Sequence, residues 1–246
     1  MVKEILETKE KRVEYTELIY DLIFVYIIGR NNSLLHNISG GFVDAWTFLN
    51  YIFCTLAIIQ IWNYTTYYVN VYGRNSKRDH IMMFVNMFLM YFIGEATRPD
   101  WGKYHTQYNI AWALILIILA LQYIIEYKNR KTEPAHQKRI RNMALVILLE
   151  AAIVLLSVIE FNKFGTSYLT MAAIFLSMVL VFFTNGKHSR GVMFIDFGHL
   201  TERVMLYVVF TFGEMIIAIA SYFEGDFNLN SLYFSAMAFL IVVGLF

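Results

Sequence analysis

His199, Glu202, Arg203, Gly213 and Glu214 stand at i, i+3, i+4, i+14 and i+15 inside one apolar stretch. At about 100° per residue they fall within roughly 120° of a single helix face. A rise of about 1.5 Å per residue separates His199 from Glu214 by roughly 22 Å along the axis. Histidine and carboxylate groups in such a line can pass protons or bind cations. A charge at bilayer depth costs at least about 2.5–3.5 kcal/mol on insertion scales, so groups of this kind face a bundle interior and mark ion or proton paths.

Other stretches carry similar groups. His80 precedes Gly94-Glu95 at the same separation, with Tyr91 on that face. Glu17 and Asp21 lie one turn apart. Gln60, Asn63, Tyr64 and Tyr67 share a face, and Glu150 sits in mid-span with Ser157 two turns on. Glu126 and Glu160 fall at span ends, where water is within reach. A deep carboxylate such as Glu150 or Glu214 is neutral unless paired, because burial disfavours the charge, and either is a candidate proton-binding group. Arg203 must be paired or must reach water. Glu202 points about 100° away from it, so Asp21, at similar depth on another helix, is the expected partner. Plainer roles stay open. Glu17 follows Thr16 and Glu202 follows Thr201, so both suit helix N-termini. His80 and His199 suit solvated helix ends, and Gly94 and Gly213 suit close helix packing.

The elements that position these residues follow from composition. Of 246 residues 58% are hydrophobic and 16% charged, with two prolines and one cysteine, Cys54. Soluble domains carry about 25% charge and about 5% proline. These values exclude disorder, a disulfide scaffold and a water-soluble globule. A net charge of +1 suggests no nucleic-acid partner. Eight segments can cross about 30 Å of hydrocarbon. They are Tyr15–Leu35, Trp46–Val71, Ile81–Glu95, Tyr108–Tyr127, Asn142–Phe161, Ser167–Phe183, Phe197–Phe223 and Leu232–Phe246. The last ends inside an apolar run, so further helices are expected to follow. The expected fold is an all-α polytopic transmembrane helix bundle. Its partner is the lipid bilayer, and no cofactor is called for.

Fifteen Lys and Arg fall in the N-terminal tail and in alternate loops, and four fall on the opposite side. By the positive-inside tendency the N-terminus is cytoplasmic in the cell membrane. Lys128–Arg141 is read as the longest loop, and the sequons at Asn31 and Asn37 fall on the outer side. An offset of 119 residues superposes His80…Gly94-Glu95 on His199…Gly213-Glu214. It predicts two parallel four-helix units, residues 15–127 and 138–246, of a kind found in transporters.

No Walker A loop, dinucleotide fingerprint, HExxH, EF-hand or nucleophile-elbow pattern is present. Two stretches instead resemble a known family. Glu17-Leu18-Ile19-Tyr20-Asp21-Leu22-Ile23-Phe24-Val25 is similar to the E-L-F-[FY]-D-L-x-F-V opening of bacterial low temperature requirement A (LtrA) proteins, with Ile19 in place of the usual Phe. His199-Leu200-Thr201-Glu202-Arg203 with Gly213-Glu214 resembles that family's H-x-x-E-R…G-E segment. The resemblance implies a multi-pass membrane protein, named for a growth phenotype in the cold, and supplies no reaction.

The residues favour a transporter or channel-like protein moving protons, ions or a small solute. The binding or translocation candidates are Glu17, Asp21, His80, Glu95, Glu150, His199, Glu202, Arg203 and Glu214. An intramembrane enzyme acting on a lipid or isoprenoid ranks lower, because no His/Asp cluster has metal-ligand spacing. A non-catalytic scaffold or sensor, with its charges serving folding alone, is the third class.

Overall fold

A computed structural model describes residues 12–36, 38–39, 42–98, 100–129, 134–186, 195–220, 223 and 228–245. Among the described residues there are eight α-helices: α1 (Tyr15–Asn31), α2 (Ala45–Tyr72), α3 (Lys77–Ala96), α4 (Trp101–Asn129), α5 (Pro134–Phe164), α6 (Tyr168–Gly186), α7 (Phe197–Ala220) and α8 (Leu229–Leu245). Each overlaps one of the expected segments. By length and composition α2, α4, residues 137–164 of α5, and α7 are long and apolar enough to cross a membrane. α6 and α8 are apolar but shorter. α1 has 17 residues, and α3 opens on Lys77, Arg78 and Asp79. The outer surface is apolar, with Phe88, Phe175, Phe182, Ile217 and Leu240 exposed, as contact with hydrocarbon requires.

Local chemistry sets the helix ends. Asp44 caps α2 by accepting from the backbone N–H of Trp46 at 2.9 Å and of Thr47 at 3.3 Å. Ser76 and Asp79 form a reciprocal capping box at the start of α3. Asp79 lies ahead of the apolar part of α3. Burial opposes its ionisation, but hydrogen bonds from Ser76, Arg78 and the Arg74 backbone outweigh that and hold its carboxyl below the usual Asp value. Gly165, at φ +69°, carries the chain out of α5 through a conformation that only glycine adopts freely. Glu160 then accepts from the backbone N–H of Tyr168 and Leu169 and anchors the start of α6.

Two expectations about boundaries need correction. Lys128–Arg141 is not all loop, because α5 starts at Pro134, a residue suited to a first helical position. Lys138–Arg141 is therefore helical, and Arg139 lies 5.1 Å from the centre of the Tyr67 ring. The first span ends as an α-helix at Asn31. The chain then runs through a 3-10 turn, Asn32–His36, into a short antiparallel pair, β1 (Ile38–Ser39) with β2 (Phe42–Val43). Lys3, Lys9, Lys11, Arg130, Lys131, Lys187, Arg190 and the sequon residue Asn37 lie outside the described residues.

α4 is the centre of the core. Trp112, Ala113, Ile115, Leu116, Leu119 and Ala120 are fully buried, while Ile110, Leu114 and Leu121 on its other face are exposed. α3 and α5 pack along it, and α6 packs on α5. α1 lies between α3 and α7. Asn75 hydrogen-bonds Glu14 at 2.7 Å, so α3 and α1 begin on one side, called here the near side. α7 and α8 are peripheral: His199 and Arg203 are the buried residues of α7, and Ser235 is the one on α8.

Candidate functional site

α1 and α7 run parallel, and their polar residues meet turn by turn. In the first layer His199 Nε2 lies 2.8 Å from Glu17 Oε2. One turn on, Arg203 Nε donates to Asp21 Oδ2 at 3.0 Å and Nη2 donates to Oδ1. This is the two-pronged guanidinium–carboxylate geometry. Arg203 Nη1 is also 3.8 Å from Glu17. All four side chains are at most 2% exposed. Arg203 thus takes the partner that the depth argument expects. A repeat of four residues on both helices explains the match, since two parallel helices keep i and i+4 in register.

Two residues of α2 complete the cluster. Trp62 Nε1 donates to Asp21 Oδ1 at 2.8 Å, and its ring lies 5.9 Å from the Arg203 guanidinium. Asn70 holds the start of α7. Its Oδ1 accepts the Asp196 N–H at 3.1 Å, and its Nδ2 donates to the Asp196 carbonyl at 2.9 Å. Those bonds fix the amide's orientation, so the same Nδ2 faces His199 Nδ1 at 3.2 Å as a donor. Nδ1 is then the acceptor and the ring hydrogen belongs on Nε2, which lies close to Glu17 Oε2 but outside hydrogen-bond geometry. Asp196 also accepts the His199 backbone N–H at 3.0 Å, as an N-cap does.

Two acids, Glu17 and Asp21, thus share this cluster with one permanent cation, Arg203, and with the imidazole of His199. Glu17 Oε1 is buried and has no hydrogen-bond partner. His80 lines the same small near-side pocket as Glu17, and its Nδ1 is buried without a partner. The first layer therefore leaves buried polar atoms of Glu17 and His80 without a hydrogen-bond partner.

The family model for bacterial low temperature requirement A protein (LtrA) matches residues 12–246. The chain belongs to this family. No curated protein and no solved structure matches. Of the LtrA motif positions, the structure brings Glu17, Asp21, His199 and Arg203 into one buried cluster. Glu202 is exposed, because the residue adjacent to Arg203 points away from α1. Gly213 has open space around it, with nothing within 4 Å of an added Cβ, so it is not a packing glycine among the described residues. Gly94 is one: a Cβ there would meet Tyr26 at 3.4 Å and Ile27 at 3.5 Å.

Glu214 lies farther along α7, in a cleft of about 1000 Å³ between α1, α7 and α8. Its Oε2 would be 3.1 Å from a Cβ placed on Gly29, so the absence of a side chain at Gly29 admits the carboxylate. Arg30, Tyr26 and Tyr51 face the same cleft. Glu95 sits at the far end of α3 and is half-exposed. It accepts from Arg98 at 2.6 Å and from the Tyr26 hydroxyl at 3.3 Å, and lies 3.6 Å from Arg30. Like His80 and His199 at the near end, Glu95 and Glu214 flank α1 at the far end.

Glu150 is elsewhere, among α2, α5 and α6. Gln60 and Tyr64 turn toward it, while Asn63 is exposed, since its position on α2 faces outward. Ser157 does not join Glu150; its hydroxyl donates to the Val154 carbonyl. Glu126 is 1% exposed and paired with Arg74 at 3.4 Å, so helix packing covers it despite its place near a helix end. Among the described residues no group of three or more His, Cys, Asp and Glu is placed to hold a metal ion.

Sequence reasoning missed Trp62, Asn70, Asp196 and Ser177. Asp196 carried a readable signal, an acid just ahead of the first helical residue of α7. Trp62 and Ser177 carried none, because a tryptophan or serine in an apolar helix has many ordinary roles.

Proposed function

We propose that this LtrA-family protein is a transporter or channel-like protein that moves protons, ions or a small solute across the cell membrane. The α1–α7 interface supports this reading. A line of ionisable groups runs from Glu17 and His199 through Asp21 and Arg203 toward the cleft that holds Glu214. Buried ionisable groups within spanning helices are the usual mark of an ion or proton path. Asp21 and Arg203 form a closed layer across the path, because each satisfies the other's charge. Glu17 with His199 on one side, and Glu214 on the other, are the groups that would meet water once this layer opens.

Movement of α7 against α1 opens this layer. Such movement is consistent with the shallow burial of α7, whose buried residues are His199 and Arg203. The excess of basic residues in the tail and alternate loops supports a cytoplasmic N-terminus.

The test is flux in liposomes that hold the full chain, under proton and cation gradients. The expected result is flux that Glu214→Gln lowers to the level of empty liposomes. Absence of flux under every gradient overturns the reading. A lipid recovered against His199, or a metal recovered with the protein, would favour an enzyme instead.

A further inference from the structure

A second buried acid stands outside the α1–α7 interface. Glu150, at mid-length of α5, is 1% exposed. Its Oε2 accepts from the Tyr64 hydroxyl at 2.8 Å and, at 3.4 Å, from Gln60 Nε2. The hydrogens around it can be traced. The Ser177 hydroxyl donates to the Ile174 carbonyl at 2.9 Å. The two amide hydrogens of Gln60 point to Tyr64 Oη at 2.8 Å and to Ser177 Oγ at 2.5 Å. The Tyr64 hydrogen is left for Glu150, and it is the one full-strength donor the carboxyl receives. Glu150 Oε1 and Gln60 Oε1 are both buried without a hydrogen-bond partner.

Among the described residues no ion pair or hydrogen bond joins a cation to this acid. α2 and α6 contain no Asp, Glu, Lys, Arg or His. On α4 the charged and titratable groups are Lys103, Tyr104, His105, Tyr108, Tyr123, Glu126, Tyr127 and Lys128. His105 is stacked on Phe161, far along α5 from Glu150, and Glu126 is paired with Arg74. On α5 itself Lys138, Arg141 and Lys163 are exposed near the helix ends, Arg139 lies over Tyr67, and Glu160 caps α6. A carboxylate with one neutral donor and an orphaned oxygen is badly compensated in an apolar shell, whereas a carboxylic acid is neutral there.

We propose that Glu150 is a proton-binding site, held in this conformation as a neutral carboxylic acid with its hydrogen on Oε1 and with Tyr64, Gln60 and Ser177 as its shell. The partners of the site lie on α2 and α6. The proton therefore leaves to water only when α2 draws away from α5 and α6, and proton occupancy is coupled to the packing of those three helices. The site does not rest on the transport reading, which concerns α1 and α7.

Infrared spectroscopy of the full chain in lipid nanodiscs at neutral pH tests this without any flux measurement. Wild type should show a carboxylic-acid carbonyl band that Glu150→Gln removes. Tyr64→Phe should move that band to higher frequency, because the carbonyl loses its donor. Should Glu150→Gln fail to fold, the Tyr64→Phe displacement decides the matter on a protein whose acid is intact. A Glu150 that contributes only carboxylate bands at neutral pH overturns the proposal. So does an unmoved carbonyl band in Tyr64→Phe. A carbonyl band that appears only after sodium is removed also overturns it, and points to a cation site.

Discussion

At two of the places where the bundle buries acid, the compensation differs in kind. At α1–α7, Asp21 and Glu17 lie beside Arg203, with His199 next to Glu17, so a permanent charge answers the acids across two helices. At α2–α5–α6, Glu150 meets a tyrosine, an amide and a serine, all neutral. The first arrangement sets the register of a helix that otherwise buries little. The second sits in a well-packed region and adds no attraction of opposite charges. A buried ion pair is expensive to break, because removing one partner strands the other. A neutral carboxyl is cheap to replace by its isostere.

The sharpest break of that contrast is Arg203→Met. It should cost about 3–5 kcal/mol, the usual penalty for stranding a buried charge, read as lost thermal stability in detergent. The exchange Asp21→Arg with Arg203→Asp should recover much of it, and failure to recover would show that Trp62 and Glu17 make the site one-directional. Asn70→Ala comes next. It removes the groups that hold Asp196 and His199, at about 1–3 kcal/mol for buried partners left unpaired, and protease cleavage ahead of α7 should rise.

Glu150→Gln should be milder than Arg203→Met by a clear margin in the same thermal scan. Equal losses would mean that Glu150 carries a charge. The smallest effect concerns Asp79, outside both sites. Its carboxyl is held below the usual Asp value, so its stabilisation is present above the unfolded value of about 3.9 and is lost as pH falls through the lower folded one. The stability advantage of wild type over Asp79→Asn should therefore fade in acid. An advantage that persists below both values would assign it to the Ser76 cap alone.

Much of the fold is legible in the sequence, and the site less so. Apolar runs locate the eight helices because hydrocarbon tolerates little else, while α5 hides its first turns behind Lys138–Arg141. Equal spacing on two parallel helices makes Asp21–Arg203 readable. Glu202 shares the motif and the nominal face, yet it points outward, because a narrow helix contact admits only some of a 120° arc. Glu126 looks solvated from its place near a helix end, and packing buries it. Periodicity, depth and sign of charge are properties of single segments, and the sequence by itself determined those: a membrane helix bundle, and the order of acids and bases along its apolar segments. Which helix faces which is a property of pairs of segments far apart in the chain. Only the tertiary structure decided that Asn70 holds α7, that Trp62 supports Asp21, that Gly29 admits Glu214, and that Glu150 has neutral partners rather than a cation.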